Sequence, residues 1–235
     1  MSTTKLTPDF LEYLAKLARN GQTFDLPSLS SLSKSLGISL STLREQLEVA
    51  KALGFVDIRP RTGMRLLPYS FSPAVSKSLS YAIELDPDYF AAIVDLRNHL
   101  EAAYWHEAVC LLSSTDKEQL GKLITQAWAK LHGSPIQIPH MEHRQLHLSI
   151  YQRLQNPFVI GIMEAYWDAY ERVGLSLYAD YLHLKLVWTY HQEMVEAICQ
   201  GDFDAGYSAL VKHKDLLLHL PITSDGKVTT EKSIE

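Results

Sequence analysis

Between Thr7 and Asn20 the apolar positions Phe10, Leu11, Leu14, Leu17 and Ala18 recur at three- and four-residue spacing, the period of an amphipathic helix. Thr7 is placed to cap it and Pro8 to take its first position, where a missing N–H is harmless. A turn-rich stretch follows from Asn20 to Pro27. Ser28 then caps a short helix with Leu29, Leu32 and Leu36 on one face, stopped by Gly37. Ser39 caps a third helix from Leu40 to Leu53 that buries Leu43, Leu47 and Ala50, and Gly54 ends it. Two β-prone runs within FVDIRPRTGMRLL flank Pro60-Arg61-Thr62-Gly63 and read as a hairpin. Helix, helix, tight turn, helix and two-stranded wing describe a winged helix-turn-helix over residues 1–70.

The pattern then changes. Tyr69 to Ser76 reads as a linker, placed at residues 71–78, and beyond it the apolar periodicity is almost continuously helical. Asp86-Pro87 opens a long helix, Thr115 caps one that runs to Leu131, and Pro139 opens one through Leu154. Asn156-Pro157 opens another to about Val173, and two more flank Gly201-Asp202. Six or seven helices and no credible strand predict an all-α bundle over residues 79–220, with a tail at 221–235. The expected fold class is mainly α, a winged helix-turn-helix followed by an all-α helical-bundle domain.

Composition narrows the possibilities. The 235 residues accommodate two domains, and 46% hydrophobic with 21% charged residues describes a globular chain with a real core. No run of ~18 uncharged apolar residues is present, and the first residues lack the apolar core of a secretion signal. Cys110 and Cys199 are the only cysteines, too few for a disulfide framework or an all-thiolate zinc site. A cytoplasmic protein with no membrane partner is expected. The net charge of −5 is split: residues 1–70 carry nine Lys/Arg against six Asp/Glu, the rest thirteen against twenty-one. All ten histidines lie in that acidic second part, from His99 to His219. Two different jobs on one chain are implied.

A winged helix lays its third helix in the DNA major groove and its wing along the backbone. The free face of that helix offers Ser41, Arg44, Glu45 and Lys51, and Arg59, Arg61 and Arg65 surround the hairpin. Arginine suits base edges and phosphates because its fork donates two parallel hydrogen bonds. The alternative is a protein-interaction winged helix whose charges are simply solvated. Because one winged helix covers a single half-site of an operator, a homodimer is expected.

The histidines carry the second body of chemistry. His143 and His147 stand one turn apart on one helix face. His191 lies ten residues before Gly201 and His213 twelve after it, so each sits roughly 15–18 Å from the turn of a helical hairpin. The two pairs can close around one divalent transition metal, with zinc, nickel or copper all suited to imidazole. Singly, each is also compatible with a surface or hydrogen-bonded core histidine. Arg97, on a largely apolar helix, can pair with Asp95 or Glu101. A metal-dependent enzyme on a helical scaffold is the competing class. Against it, His143-Arg-Gln-Leu-His147 lacks the glutamate that a zincin sets after its first histidine. No Glu-x-x-His, Gly-x-Ser-x-Gly or phosphate-cradling glycine loop is present either.

The ungapped run from Leu26 to Gly63 resembles the N-terminal domain of GntR-family transcriptional regulators. The match rests on Leu26-Pro27-Ser28, Leu32, Leu36-Gly37, Ser39, Leu43-Arg44-Glu45, Leu47, Gly54, Val56 and Gly63. The stretch from about Asp95 to Leu216 is similar to the helical effector domain of the fatty-acid-regulator branch, the FCD domain. Here the matching features are Arg97-x3-Glu101, His147 with Asn156-Pro157 nine residues on, and His191 through Ala197-Ile198, Gly201-Asp202 and Ala205 to His213. The resemblance implies a ligand-responsive regulator of a double-stranded DNA operator. It implies DNA contacts from Ser39, Ser41, Thr42, Arg44, Arg59, Arg61, Gly63 and Arg65, and a small effector, an organic acid, held by Arg97 and Glu101. It also implies a metal on His143, His147, His191 and His213. Three departures stand out. Ser30 and Leu40 occupy positions where relatives carry DNA-contacting arginines, and His143 replaces an aspartate ligand.

Overall fold

A computed structural model describes residues 8–19, 25–59, 63–173 and 181–217. The chain divides into two compact units, Met1–Lys77 and Ser78–Glu235.

The first unit holds α1 (Asp9–Arg19), β1 (Asp25–Leu26), α2 (Leu29–Leu36), α3 (Leu40–Ala52), β2 (Val56–Arg59) and β3 (Gly63–Leu66). Its helices begin where short polar side chains satisfy the first free N–H groups. Ser28 Oγ accepts from Ser31 N–H, and Ser39 Oγ accepts from Thr42 N–H. Gly37 ends α2 at φ +68°, a left-handed conformation that costs glycine nothing. Phe10, Leu14, Leu32, Leu43, Leu47 and Ala50 form the core together with Val56, Met64 and Leu66 from the wing. Gln46 adds a polar pin, its Oε1 accepting from the Phe10 N–H at 2.8 Å. The antiparallel wing pairs Val56 with Leu66 and Arg59 with Gly63. The turn-rich stretch after α1 supplies a third strand. Asp25 and Leu26 lie opposite Arg65 and Met64, giving the order β1-β3-β2, and this pairing satisfies the outer edge of β3.

From Ser72 onward every described element is a helix: α4 (Ser72–Leu85), α5 (Tyr89–Cys110), α6 (Ser114–Leu131), α7 (His140–Tyr151), α8 (Pro157–Val173), α9 (Tyr181–Gln200) and α10 (Phe203–Leu217). The stretch expected as a linker is thus largely helical. Pro73 stands in the first turn of α4, where it breaks no hydrogen bond, and Leu79 gives the helix a buried side. Asp86-Pro87 forms a turn rather than the start of α5, with Asp86 Oδ1 accepting from Asp88 N–H. Ser113, not Thr115, caps α6. Its Oγ accepts from Asp116 N–H while Asp116 Oδ2 accepts from Ser113 N–H, a reciprocal arrangement that needs a side-chain acceptor three residues on. Helix α7 ends at Tyr151, three residues before the expected stop.

Two buried clusters hold this unit together. One gathers Trp105, Leu120, Leu123, Leu146, Ile150, Met163, Trp188 and Ile198, the other Leu79, Phe90, Ile93, Tyr166 and Trp167. Helices α9 and α10 form a hairpin around Gly201, which has φ +80°. Helix α10 meets α5 where Gly206 faces the fully buried Trp105. A Cβ on that glycine would stand 2.7 Å from the indole Cζ2. Among the described residues no helix is long and apolar enough to cross a membrane.

Candidate metal centre and nucleic-acid interface

His143 and His147 share the inner face of α7, as their spacing predicts, while the α9–α10 hairpin sets His191 and His213 at one height with ring centroids 4.3 Å apart. Ligand nitrogens from all four rings lie within 4.8 Å of one another. His147, His191 and His213 are fully buried and His143 is 9% exposed. Burial holds all four rings well below the ordinary imidazole pKa. For His191 and His213 their neighbouring imidazoles and Arg97 add to the effect. Neutral imidazoles with exposed lone pairs are what a transition metal needs.

The hydrogen-bond inventory fits that use. His143 Nε2, His191 Nδ1 and both nitrogens of His213 are buried with no partner, and His147 Nε2 faces His191 Nε2 at 3.0 Å. Buried polar atoms are rarely left unpaired, so several in one spot make a place where a ligand could complete the set. Four imidazole nitrogens converging from three helices form a donor set for a nitrogen-preferring divalent cation.

Beside the histidines, α5 places Arg97 and Glu101 with no solvent exposure. Arg97 Nε lies 3.1 Å from Glu101 Oε1 in an ion pair off the hydrogen-bond direction, and Nη1 donates to Asn98 Oδ1. The guanidinium is packed over Tyr166 and Trp167, at 4.9 and 5.5 Å from the ring centroids. Burial pushes the Glu101 carboxyl up and Arg97 opposes it. Burial works against the Arg97 charge too, and it is Glu101 together with Tyr166, Tyr151 and Tyr170 that outweighs it. Of the two partners open to Arg97 in the sequence, Glu101 is the one it takes; Asp95 lies beside His99 instead.

Several neighbours carried no sequence signal. Trp167 and Trp188 flank His143, with centroids at 4.7 and 6.1 Å, and the Trp167 Nε1–H is buried and unpartnered. Tyr151 O–H donates to the Glu101 carbonyl. Each was legible only as an apolar position of its helix.

In the first unit, Ser39, Ser41 and Thr42 cluster at the exposed start of α3, with Ser39 Oγ within 2.8 and 2.9 Å of the other two hydroxyls. Arg44 is exposed one turn further on. Arg59 stands at the exposed end of β2, its Nε donating to Asp57, and Arg65 and Gly63 lie on exposed positions of β3. Arg61 lies outside the described residues. Ser30 and the 40%-exposed Leu40 face solvent and bring no charge to this surface.

The family model of the FCD domain matches residues 92–215, more than half of the chain and all six of these buried polar residues. The chain belongs to this family. With its winged helix-turn-helix, the FCD protein is a transcriptional regulator of the GntR type. An HTH-type transcriptional regulator of Escherichia coli, YieP, is 26% identical over 189 residues, covering 78% of this chain and 80% of that protein. A fatty acid metabolism regulator protein of Haemophilus influenzae is 24% identical over 199 residues, covering 80% and 77%. A GntR protein of Streptococcus agalactiae shares the fold, with a TM-score of 0.64 at 16% identity, over 88% of this chain and 95% of that one.

Proposed function

We propose that this FCD regulator holds one divalent transition metal on His143, His147, His191 and His213, and that a small organic acid bound beside it alters affinity for a DNA operator. The convergence of four buried imidazoles within 4.8 Å carries the reading. With histidine at position 143 all four ligands are neutral, so a divalent ion there keeps its full charge and favours an anionic ligand, a carboxylate above all. Nitrogen donors favour zinc, nickel or copper over magnesium or manganese. The position a zincin gives to its glutamate base holds Arg144, which donates to Asp168 and Glu171, and this supports a sensor over an enzyme. On the DNA side, the start of α3 with Arg44 would read the major groove and Arg59, Arg61 and Arg65 the backbone. With Ser30 and Leu40 in place of arginines, fewer phosphates are neutralised, and operator affinity should fall less steeply with salt than in arginine-bearing relatives. The protein would act as a cytoplasmic homodimer, one winged helix per half-site.

Calorimetric titration of the chelator-treated protein with Zn²⁺ tests the metal centre. One ion per chain is expected, with a rise in melting temperature that His147→Ala abolishes. A wild type that stays folded yet binds neither Zn²⁺, Ni²⁺ nor Cu²⁺ rules the centre out. Arg44→Ala is expected to weaken operator binding by ~1–3 kcal/mol, measured by fluorescence anisotropy; unchanged affinity would remove α3 from the interface.

A further inference from the structure

His147 Nδ1 has two neighbours that demand opposite things of it. Glu101 Oε1 lies 2.9 Å away, and a carboxylate only accepts. Arg97 Nη2 lies 3.2 Å away, and a guanidinium only donates. A single ring nitrogen cannot serve both. If it carries the proton it donates to Glu101, and the Nε2 lone pair faces the other histidines. If it is bare it accepts from Arg97, and the proton sits on Nε2, 3.0 Å from His191 Nε2. That second arrangement makes an imidazole–imidazole hydrogen bond across the centre, which blocks one ligand nitrogen with a proton and uses the lone pair of another.

We propose that the Arg97–Glu101 pair selects the tautomer of His147: Arg97 holds the metal-free form, with the proton on Nε2, and Glu101 is the positioning carboxylate of the metal-loaded form, with the proton on Nδ1. The proposal rests on the metal reading above. A carboxylate that accepts from the far nitrogen of a ligating histidine orients the ring and raises its basicity, and losing such a partner costs 10- to 100-fold in metal affinity. In this chain the carboxylate and its counter-charge are one helical turn apart on α5, both without solvent exposure, so the Nδ1 contact is shielded from bulk solvent. Glu101 is therefore assigned to His147 rather than to an effector.

The test uses the full chain labelled with ¹⁵N-histidine, in which the two ring nitrogens of His147 are distinguished by NMR and assigned with His147→Gln. Metal-free wild type should show a bare Nδ1 and a protonated Nε2; Zn²⁺-loaded wild type should show the reverse. Arg97→Met should show the Nδ1–H form before any metal is added, read at a pH high enough to keep the Glu101 carboxyl, now without its counter-charge, ionised. Removing Glu101 alone leaves Arg97 buried without a counter-charge and threatens folding. The affinity comparison is therefore made between two double variants, Arg97→Met with Glu101→Gln and Arg97→Met with Glu101→Leu. The glutamine variant, whose amide oxygen still accepts from Nδ1–H, should bind Zn²⁺ 10- to 100-fold more tightly than the leucine variant. Equal Zn²⁺ affinities, or one unchanged tautomer with and without Zn²⁺, overturn this proposal while leaving the metal centre standing. A folded wild type that takes up no Zn²⁺ overturns the metal centre and this proposal together.

Discussion

Burial holds the imidazoles of His143, His147, His191 and His213 neutral at pH values where an unfolded chain would protonate them. The unfolded state therefore binds more protons below about pH 6.5, and folding stability must fall as the pH drops through that point. Above it the full stability is present. All four rings push in the same direction, so the metal-free protein should lose stability progressively as the pH falls below about 6.5. Urea unfolding of chelator-treated protein at pH 7.5, 6.5 and 5.5 should show this loss, and a flat profile would mean the rings are not buried in the neutral form. Helical spacing made the four histidines legible in the sequence, because i, i+4 and hairpin geometry fix which face a residue shares. The pairing of Arg97 with Glu101 was open beside Asp95, although Arg97 and Glu101 stand four residues apart on one helix face whereas Asp95, two residues before Arg97, faces another side and lies beside His99. Trp167 itself gave no signal, its polar edge being invisible to a pattern that counts only apolar positions.

Among the elements, α10 and α6 offer a matched pair of glycines. Ala is favoured over Gly in a helix by about 1 kcal/mol, so a change to alanine stabilises wherever there is room. At Gly121 on α6 an added Cβ meets nothing within 4 Å, and Gly121→Ala should raise the melting temperature. At Gly206 the Cβ would press on Trp105, which is fully buried and cannot retreat, and overpacking costs typically 1–3 kcal/mol. Gly206→Ala should therefore lower the melting temperature despite the better helix former, and calorimetric scans of both variants check the contrast. Element existence was readable because long apolar stripes leave little choice of period. Boundaries were less so. Ser113 and Thr115 are both good caps, and what separates them is Asp116, which closes the reciprocal bonds with Ser113 and also receives Arg153. Helix α4 was misread because Ser-Pro and a run of small residues suit a linker as well as a first turn.

For the whole molecule, the split of charge and of histidines between the two parts of the sequence anticipated two units, while the position of their division inside a helical segment was not visible from composition. The depth of the histidine cluster has a kinetic meaning. Three of its four rings have no contact with solvent, so an ion is expected to reach them through a local opening of the helices around them. Uptake should then be paced by that opening: the observed rate should level off as Zn²⁺ is raised and should climb steeply with temperature or low urea, as stopped-flow tryptophan emission from Trp167 and Trp188 can follow. A rate that stays proportional to Zn²⁺ would mean the ion finds an open path. If opening is slow, the loading state of each protein molecule becomes a record of the conditions under which it folded, retained long after free metal in its surroundings has changed.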